Sequence, residues 1–298
     1  MALPLLENKR ALITGGGSGL SLALAKVLRA RNVSILICDL SLHKEATTWL
    51  EETQNDSGPL VSFLRVDVTD WKQLEAAFQN FDDRFGGVPE IVVAGAGVYE
   101  ASCPGFWDNK DQGSHYKLFD INLVHPIKLT RIAIRRMQRA HSRGVILHIS
   151  SIVAQKPNVV LPLYAASKAG LSQFIRCMAP LEDMCAIRVV AVAPGIVDTP
   201  LFRDHPEAMK HIDMNKDFAL PPSEVVKAMV ALLTEEKYVG GTILEIGDIG
   251  QWRQVQILGD IGPQGRSTLP RSKAKSAVDL VKKALKADAG GRVPTSSL

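Results

Sequence analysis

Short aliphatic runs alternate with amphipathic stretches of helical length along most of this chain, and this alternation restricts the possible folds more than any other feature. Runs of strand length recur at 11–13, 33–38, 61–66, 90–94, 144–149, 188–192 and 242–246. Helical patterns lie between them at 20–29, 70–85, 115–140, 164–180 and 222–234. Strands that alternate with helices predict right-handed crossovers and a buried parallel sheet.

The strand runs are apolar on both faces, which is typical of a sheet that helices cover on both sides. We therefore predict an α/β fold, a single Rossmann-type doubly wound domain over residues 1–250 with a central parallel sheet of about seven strands. Residues 251–298 are expected to form a C-terminal extension that is partly flexible and carries one amphipathic helix at 276–286. We interpret the extension as a solvated linker with a surface helix; the alternative is a segment that binds a partner or covers the substrate.

The composition argues against several classes of protein. The 298 residues carry a formal net charge of +4, which is too mild to suggest a nucleic-acid surface. The four cysteines match no zinc or redox spacing, so we expect reduced thiols and no metal site. No apolar run is long enough to span a bilayer and no signal peptide is recognised, so we predict a cytoplasmic protein.

A glycine-rich turn follows the first strand and reads Thr-Gly-Gly-Gly-Ser-Gly-Leu from residue 14. Glycines there allow the backbone to approach a diphosphate, and the following helix N-terminus supplies free N–H groups and a favourable dipole. We predict a dinucleotide site at this turn; the alternative is a plain tight turn. The expected contacts are Gly15, Ser18, Gly19 and Leu20.

Two carboxylates at strand ends are candidates for the nucleoside end of that site. Asp39 ends the second strand, where a carboxylate accepts hydrogen bonds from the ribose hydroxyls of NAD and repels the 2′-phosphate of NADP. NAD is therefore the predicted cofactor; the alternative is that Asp39 caps a helix. Asp67, with Val68 beside it, is expected to face the adenine, because Asp70 is the better N-cap for the next helix.

Tyr164 and Lys168 lie four positions apart in a helical stretch, which places them on one face. A free phenol has a pKa of about 10 and is a poor base at neutral pH, but a nearby ammonium stabilises the phenolate. The tyrosine can then exchange a proton with a substrate oxygen. Ser151 follows the fifth strand, where its hydroxyl can hold the same oxygen. Asn122 lies in an earlier helix, as a structural hydrogen-bonder or as the holder of a water that links Lys168 to solvent.

In order and approximate spacing, these motifs resemble those of the classical short-chain dehydrogenases/reductases over about residues 8–248. Within that family the chain is similar to a 15-hydroxyprostaglandin dehydrogenase-like subgroup that uses NAD. The resemblance implies an oxidoreductase of CH–OH groups, with Tyr164 as general acid/base and Ser151 orienting the substrate oxygen. It further implies that Lys168 binds the nicotinamide ribose and lowers the tyrosine pKa, and that Asn122 supports the proton relay. Tyr164 and Lys168 therefore also count as cofactor contacts.

The resemblance extends to the loop after the sixth strand, residues 194–200, which begins with Pro-Gly. In the family, such a loop holds the nicotinamide carboxamide and fixes which face of the ring is presented. The implied contacts are the backbone near Ile196 and Val197 and the hydroxyl of Thr199.

The chain departs from the family pattern at two places. The third glycine of the turn is Ser21, a small residue with which we expect cofactor binding to survive. The Asn-Asn-Ala-Gly motif after the fourth strand reads Ala-Gly-Ala-Gly at 94–97. The lost amides put local sheet stability in doubt, whereas the backbone at Ala96 still passes beside the cofactor.

By the same resemblance, a substrate pocket lies over the nicotinamide and is lined by 98–107, 152–163 and 201–220, the last as a mobile lid. Most of their side chains are apolar or aromatic, so we predict a lipophilic secondary alcohol or ketone rather than a sugar or hydroxy acid. His205 is interpreted as a surface residue of the lid rather than a catalytic base.

Assembly and an alternative function complete the expectations. Family members usually dimerise or tetramerise through the helices that carry Asn122 and Tyr164, so a homodimer or homotetramer is expected. The alternative function is a catalytically silent dinucleotide sensor or scaffold on the same fold. The combination of Asn122, Ser151, Tyr164 and Lys168 argues against it, because a pure sensor has no need of Tyr164 and Lys168 together.

Overall fold

The computed structural model describes residues 6–100, 106–107, 115–204, 216–256 and 274–290. Its strands are β1 (Arg10–Thr14), β2 (Ser34–Asp39), β3 (Val61–Arg65), β4 (Ile91–Ala94), β5 (Gly144–Ile149), β6 (Ile187–Pro194), β7 (Ile243–Asp248) and β8 (Gln251–Gln254). Its helices are α1 (Gly19–Arg29), α2 (Lys44–Gln54), α3 (Trp71–Phe85), α4 (Lys117–Phe119), α5 (His125–Arg139), α6 (Pro162–Cys177), α7 (Leu181–Cys185), α8 (Pro200–Arg203), α9 (Pro222–Thr234) and α10 (Ala274–Asp288). A π-helical segment (Asp120–Val124) joins α4 to α5.

The described strands form one sheet in the order β3-β2-β1-β4-β5-β6-β7-β8, and every neighbouring pair from β3 to β7 is parallel. Apolar side chains on both faces of the strands are buried in two cores under the flanking helices. This confirms the predicted α/β fold. The strand order reverses between β1 and β4, which opens a crevice at the carboxyl ends of those two strands.

The sheet continues past the domain boundary predicted at residue 250. β8 pairs antiparallel with β7, and Arg253 on β8 forms an ion pair with Glu245 on β7 at 2.7 Å. The four residues of β8 read Gln-Trp-Arg-Gln, so the strand lacks the aliphatic run that marks the other strands. Further on, α10 spans the predicted helix at 276–286 and packs against α5, where Arg131 donates two hydrogen bonds to Asp288.

A π-helical segment interrupts the single helical stretch predicted at 115–140. The N–H of His125 bonds to the carbonyl of Asp120, five residues back, instead of to Ile121. Pro126 follows and has no N–H to give to the carbonyl of Asn122. The carbonyls of Ile121 and Asn122 therefore both lack the N–H donor that a regular α-helix would give them.

A buried chain of hydrogen bonds ties this segment to the first strand. His125 Nδ1 lies 3.1 Å from the released carbonyl of Ile121, which can only accept, so Nδ1 carries the proton. His125 Nε2 lies 3.1 Å from Thr14 Oγ1, and Thr14 Oγ1 accepts from the N–H of Gly95 at 3.2 Å. These bonds join β1, the end of β4 and α5.

A second imidazole, that of His148 on β5, is also fully buried. Thr130 donates to the carbonyl of Pro126 at 2.7 Å, so its oxygen accepts from His148 Nε2 at 3.1 Å, and His148 Nδ1 is left without a partner. Burial lowers the pKa of His148 to about 3 and that of His125 to about 4. Both side chains are therefore neutral in the folded protein at neutral pH.

The two departures from the family motif meet in space. A Cβ on Gly95 would overlap Ser21 Oγ and would lie 2.7 Å from the carbonyl oxygen of Thr14. The hydroxymethyl group of Ser21 on α1 thus occupies space beside the side-chain-free Gly95. The substitution at one position accommodates the substitution at the other, so the close contact between α1 and the end of β4 is kept.

The contact between Gly95 and Ser21 generates a double-mutant prediction. Gly95→Ala should lower the free energy of unfolding by about 1–3 kcal/mol, because the added methyl group overpacks this contact. In a Ser21→Gly background the same change should cost less, with a residual cost from the Thr14 carbonyl. Urea denaturation of the four proteins measures the cycle. Additive losses would show that the two positions are not coupled.

The buried histidines predict how stability depends on pH. Their folded pKa values lie below that of an unfolded histidine, so the unfolded chain binds more protons between pH 6.5 and about 4. The free energy of unfolding should therefore fall as the pH drops through this window, by up to about 1.4 kcal/mol per histidine per pH unit. Urea denaturation at several pH values measures the slope.

His148→Gln should make that slope shallower, because one of the two buried titrating groups is removed. His141→Asn is the matched control, since His141 is exposed and has a left-handed backbone (φ 50°) that asparagine tolerates. An unchanged slope in His148→Gln would contradict the assignment of His148 as a buried neutral imidazole.

Candidate functional site

A cleft of about 790 Å³ runs along the carboxyl ends of the strands, at the crevice between β1 and β4. This volume and position are typical of a ligand site in a doubly wound sheet. Most side chains singled out in the sequence line it. They are Gly15, Ser18, Gly19, Leu20, Asp39, Asp67, Val68, Ala96, Ser151, Tyr164, Lys168, Val197 and Thr199.

Two predicted residues, Asn122 and Ile196, are not among the residues that line the cleft. Ile196 packs instead against the cluster of Tyr99, Leu161 and Phe202, and its carbonyl accepts from the N–H of Leu220 at 2.8 Å. In the loop after β6, the cleft is therefore lined by neighbours of Ile196, namely Gly195, Val197 and Thr199.

The glycine turn closes tightly on the end of β4. Gly15 has a φ of 68°, and a Cβ there would collide with the backbone of Ala96. Gly19 opens α1 with a φ of 55°. Ser18 is the N-cap residue of α1 and makes no side-chain capping bond. Because Ser18, Gly19 and Leu20 line the cleft, this hydroxyl and the first N–H groups of α1 are available to a ligand there.

Asp39 is fixed by the same turn. Its Oδ2 accepts from the N–H of Gly17 at 2.8 Å, and its Oδ1 accepts from the N–H of Leu40 at 2.7 Å. Each carboxylate oxygen keeps a second lone pair for a further donor. The bonds to Gly17 and Leu40 therefore orient the carboxylate at the edge of the cleft without exhausting it.

Asp70 takes the N-cap position predicted for it, and Asp67 makes different contacts. Asp70 caps α3 by accepting from the N–H groups of Lys72 and Gln73 at 2.8 and 3.3 Å. Asp67 lines the cleft, and its Oδ1 accepts from the hydroxyl and the N–H of Thr69. These hydrogen bonds hold the pKa of Asp67 below its usual range, so a carboxylate is present at this end of the cleft.

Ser151, Tyr164 and Lys168 come together where β5 meets α6. All three side chains line the cleft, and the hydroxyl of Ser151 acts on the phenol of Tyr164 to lower its pKa. Lys168 lies one turn further along α6, with Nζ 5.6 Å from the centre of the Tyr164 ring and donating to the carbonyl of Ile149 at 2.8 Å. Ser151 Oγ also accepts from the N–H of Val153, which fixes the hydroxyl at the end of the strand.

Burial dominates the electrostatics of this group. It raises the pKa of Tyr164 to about 12, with the hydrogen bond from Ser151 acting in the opposite direction and Tyr99 adding to the increase. It lowers the pKa of Lys168 to about 8. Lys168 is therefore still mainly charged at neutral pH, and Tyr164 is a neutral phenol in the protein on its own.

The side chain of Asn122 is committed to a structural contact. Its Oδ1 accepts from the N–H of Val98 at 2.9 Å, and its Nδ2 donates to the carbonyl of Val98 at 2.8 Å. The amide thus clamps the segment after β4 to the π-helical segment. Because residue 126 is proline, the backbone carbonyl of Asn122 also lacks the N–H donor that an α-helix would supply.

Sequence reasoning missed one polar residue in this region, Glu100. It is buried, and its Oε2 accepts from the backbone N–H of Tyr164 at 2.8 Å. The available signal was a lone carboxylate in the mostly apolar stretch that follows the fourth strand. Beside it, Tyr99 packs edge-on against Tyr164 and Phe202, with ring centres 5.3 and 5.2 Å apart.

Several predictions fall partly or wholly outside the described residues. These are the parts of the substrate stretches at 101–105 and 205–215, which include His205, the linker at 259–273 and most of the C-terminal end. Among the described residues, Cys38 and Cys185 are buried with raised thiol pKa values, and Cys177 is exposed. Within those residues, no group of acids, histidines and cysteines could hold a metal ion, and no helix has the length and apolarity needed to cross a membrane.

Comparison with known proteins agrees with this geometry. A family model described as short chain dehydrogenase matches residues 9–210. The galactitol 2-dehydrogenase of Agrobacterium fabrum is 31% identical over 195 residues, which cover 65% of this chain and 72% of the relative. The 15-hydroxyprostaglandin dehydrogenase (NAD(+)) of Bos taurus is 28% identical over 256 residues, 81% of this chain and 91% of the relative.

A solved structure extends the likeness to the fold. The crystal structure of gox2181 superposes with a TM-score of 0.69 at 28% sequence identity, covering 83% of this chain and 98% of that chain. The match of the family model spans β1 to α8, the part of the chain that builds the cleft. The chain therefore belongs to the short-chain dehydrogenase family, whose members are oxidoreductases that bind a nicotinamide dinucleotide.

Proposed function

We propose that this protein is an NAD(H)-dependent oxidoreductase that interconverts a secondary alcohol and a ketone on a lipophilic small molecule, with Tyr164 as general acid/base. The observation that carries the proposal is the meeting of the Ser151 hydroxyl, the Tyr164 phenol and the buried ammonium of Lys168 in one cleft, with Nζ 5.6 Å from the centre of the Tyr164 ring. A phenol, a hydroxyl and an ammonium that converge in one cleft are suited to moving a proton at a substrate oxygen.

The residues of the cleft fit a dinucleotide. The glycine turn and the N-terminus of α1 suit a diphosphate, and Ser18 supplies a hydroxyl there. Asp39 suits a ribose, Asp67 and Val68 suit the adenine, and Val197 and Thr199 suit the nicotinamide carboxamide; all five line the cleft. Ala96 also lines the cleft, and its backbone packs on Gly15.

The chemistry of the residues follows from their positions. When bound, the nicotinamide ring supplies or accepts the hydride. The hydroxyl of Ser151 hydrogen-bonds the substrate oxygen and holds it near the phenol of Tyr164. Tyr164 donates its proton to that oxygen during ketone reduction and removes it during alcohol oxidation.

The pKa of Tyr164 decides how easily the phenol takes the second role. Burial raises this pKa to about 12, so ionisation requires positive charge close by. The ammonium of Lys168, one helical turn away, provides one such charge, and the oxidised nicotinamide ring provides another when bound. Lys168 also suits the nicotinamide ribose, because its ammonium is anchored at the edge of the cleft by the carbonyl of Ile149.

A route for the proton beyond Lys168 involves the backbone of Asn122. The side-chain amide of Asn122 is bonded to Val98, so we assign to its main-chain carbonyl the water that would link Lys168 to solvent. Pro126 deprives this carbonyl of its α-helical donor. Asn122 thus supports the relay through its main chain, and its side chain keeps the π-helical segment in place.

The preference for NAD rests on the charge of Asp39. Its carboxylate is fixed at the edge of the cleft by Gly17 and Leu40, where a 2′-phosphate would meet a like charge. The proposal of a lipophilic substrate rests on the cluster of Tyr99, Leu161 and Phe202, whose apolar surface packs around Tyr164.

Location and assembly belong to the same proposal. We propose a cytoplasmic protein with one catalytic domain over 1–250 and a C-terminal extension over 251–298, whose first residues add β8 to the sheet of that domain. A homodimer or homotetramer is proposed as its working form. Any pairing through α5 has to accommodate α10, because Arg131 on α5 already binds Asp288 and the side chain of Leu285 is buried.

Replacing the phenol tests the catalytic assignment. Tyr164→Phe should keep NADH binding and should lower turnover by about 10²–10⁴-fold, because the proton is no longer transferred by a positioned group. A screen of lipophilic secondary alcohols with NAD supplies the assay, and NADH fluorescence titration measures binding. Tyr238→Phe, a change in another buried tyrosine, is the control and should leave turnover unchanged. Full turnover in Tyr164→Phe would refute the assignment.

Replacing Asp39 tests the choice of cofactor. The protein should bind NADH at least about tenfold more tightly than NADPH, equivalent to about 1.4 kcal/mol, and Asp39→Asn should narrow that ratio by removing the like charge. Fluorescence titration with both cofactors measures the ratio. Asp56→Asn, another carboxylate that accepts a loop N–H, is the control and should leave the ratio unchanged. Tighter binding of NADPH by the unmodified protein would exclude the proposed preference.

A further inference from the structure

Glu100 is a buried carboxylate between the catalytic helix and the segment after β4. Its side chain joins two backbone N–H groups from different parts of the chain. Oε2 accepts from Tyr164 at 2.8 Å, and Oε1 accepts from Phe106 at 3.3 Å. The residue is only 3% exposed, so these bonds are shielded from water.

The bond to Tyr164 lies at the N-terminus of α6, where backbone N–H groups have no helical acceptor. Leu161 occupies the N-cap position and has no side chain able to cap the helix, and Pro162 follows it. Tyr164 is the third residue of α6, so its N–H is one of those that need a partner. Glu100 supplies that partner from a distant part of the chain, with the negative charge that a helix N-terminus favours.

The chemistry of the side chain fits this double contact. Two N–H donors converge on it, and a carboxylate offers one oxygen to each. An uncharged glutamine of the same shape would be easier to bury, but its amide nitrogen would face one of the two N–H groups. A carboxylate is therefore better suited than an amide to these two N–H groups.

The contact fixes the position of the catalytic phenol through the backbone. The N–H that Glu100 holds belongs to the residue whose phenol shares the cleft with Ser151, and Tyr99 packs on that ring from the position before Glu100. A shift at the start of α6 would move the phenol relative to Ser151. Misplacement of a reacting group by about 1 Å can cost about 100-fold in rate.

We propose that Glu100 is a positioning residue for the hydride-transfer reaction, which caps α6 and couples the described residues after β4, Val98 to Glu100, to the catalytic tyrosine. This inference rests on the proposed function, since it needs Tyr164 to be the acid/base. It assigns to Glu100 no contact with substrate or cofactor, and its effect passes through the backbone of Tyr164.

Glu100→Gln tests the proposal in the full-length protein. The turnover number should fall about 10- to 100-fold, while NADH affinity measured by fluorescence titration should stay within about twofold, because the dinucleotide contacts lie on other elements. Glu182→Gln is the matched control, since Glu182 Oε2 accepts the N–H of Gly240 at 2.6 Å away from the cleft. Glu182→Gln should leave the turnover number unchanged even where it lowers the melting temperature as much as Glu100→Gln does.

A double variant separates positioning from general destabilisation. In a Tyr164→Phe background, Glu100→Gln should change the residual rate by less than about twofold, because it acts through the missing hydroxyl. If Glu100→Gln does not fold, Glu100→Asp replaces it, as a shorter carboxylate cannot span both N–H groups. Normal turnover in Glu100→Gln, or in Glu100→Asp where that replaces it, would overturn the proposal for Glu100. An equal loss of turnover in Glu182→Gln would overturn it as well. Full turnover in Tyr164→Phe would instead overturn the proposed function.

Discussion

The close approach of the glycine turn and α1 to the end of β4 is the constraint on which the rest of the site depends. Gly15 lies against the backbone of Ala96, and Ser21 fills the space that Gly95 leaves open. Side chains at either glycine would separate these backbones. Because this approach holds, the N-terminus of α1 and the end of β4 border the same cleft, and the segment after β4 continues toward the catalytic helix.

From there, polar contacts carry the arrangement to the chemical end of the site. Thr14 connects Gly95 to His125, and His125 takes up a carbonyl that the π-helical segment releases. In the same segment Asn122 clamps Val98, two residues before Glu100 reaches the start of α6. The turn that suits a diphosphate and the tyrosine that suits proton transfer are thus linked by these hydrogen bonds together with the short chain segments between them.

The fold was largely predictable, because the signals that set it are local. Aliphatic runs and helical stretches mark β1 to β7 and the main helices, and their alternation implies a parallel doubly wound sheet. Several elements escaped this reasoning, including α2 (Lys44–Gln54), β8 and the π-helical segment. β8 is a strand because β7 offers an open edge, not because its own four residues form an apolar run. The π-helical segment depends on hydrogen bonds exchanged over one turn, which helical periodicity does not reveal.

For this protein, the sequence by itself determined the fold class, the glycine turn, the acids at the strand ends and the identities of Ser151, Tyr164 and Lys168. Only the tertiary structure decided what surrounds them. Burial raises the pKa of Tyr164, Val98 occupies the amide of Asn122, and Glu100 caps the tyrosine's helix from 64 residues away. The reason is physical: residue type and spacing define which chemistry is available, whereas desolvation and hydrogen-bond pairing depend on groups that meet only when the chain folds.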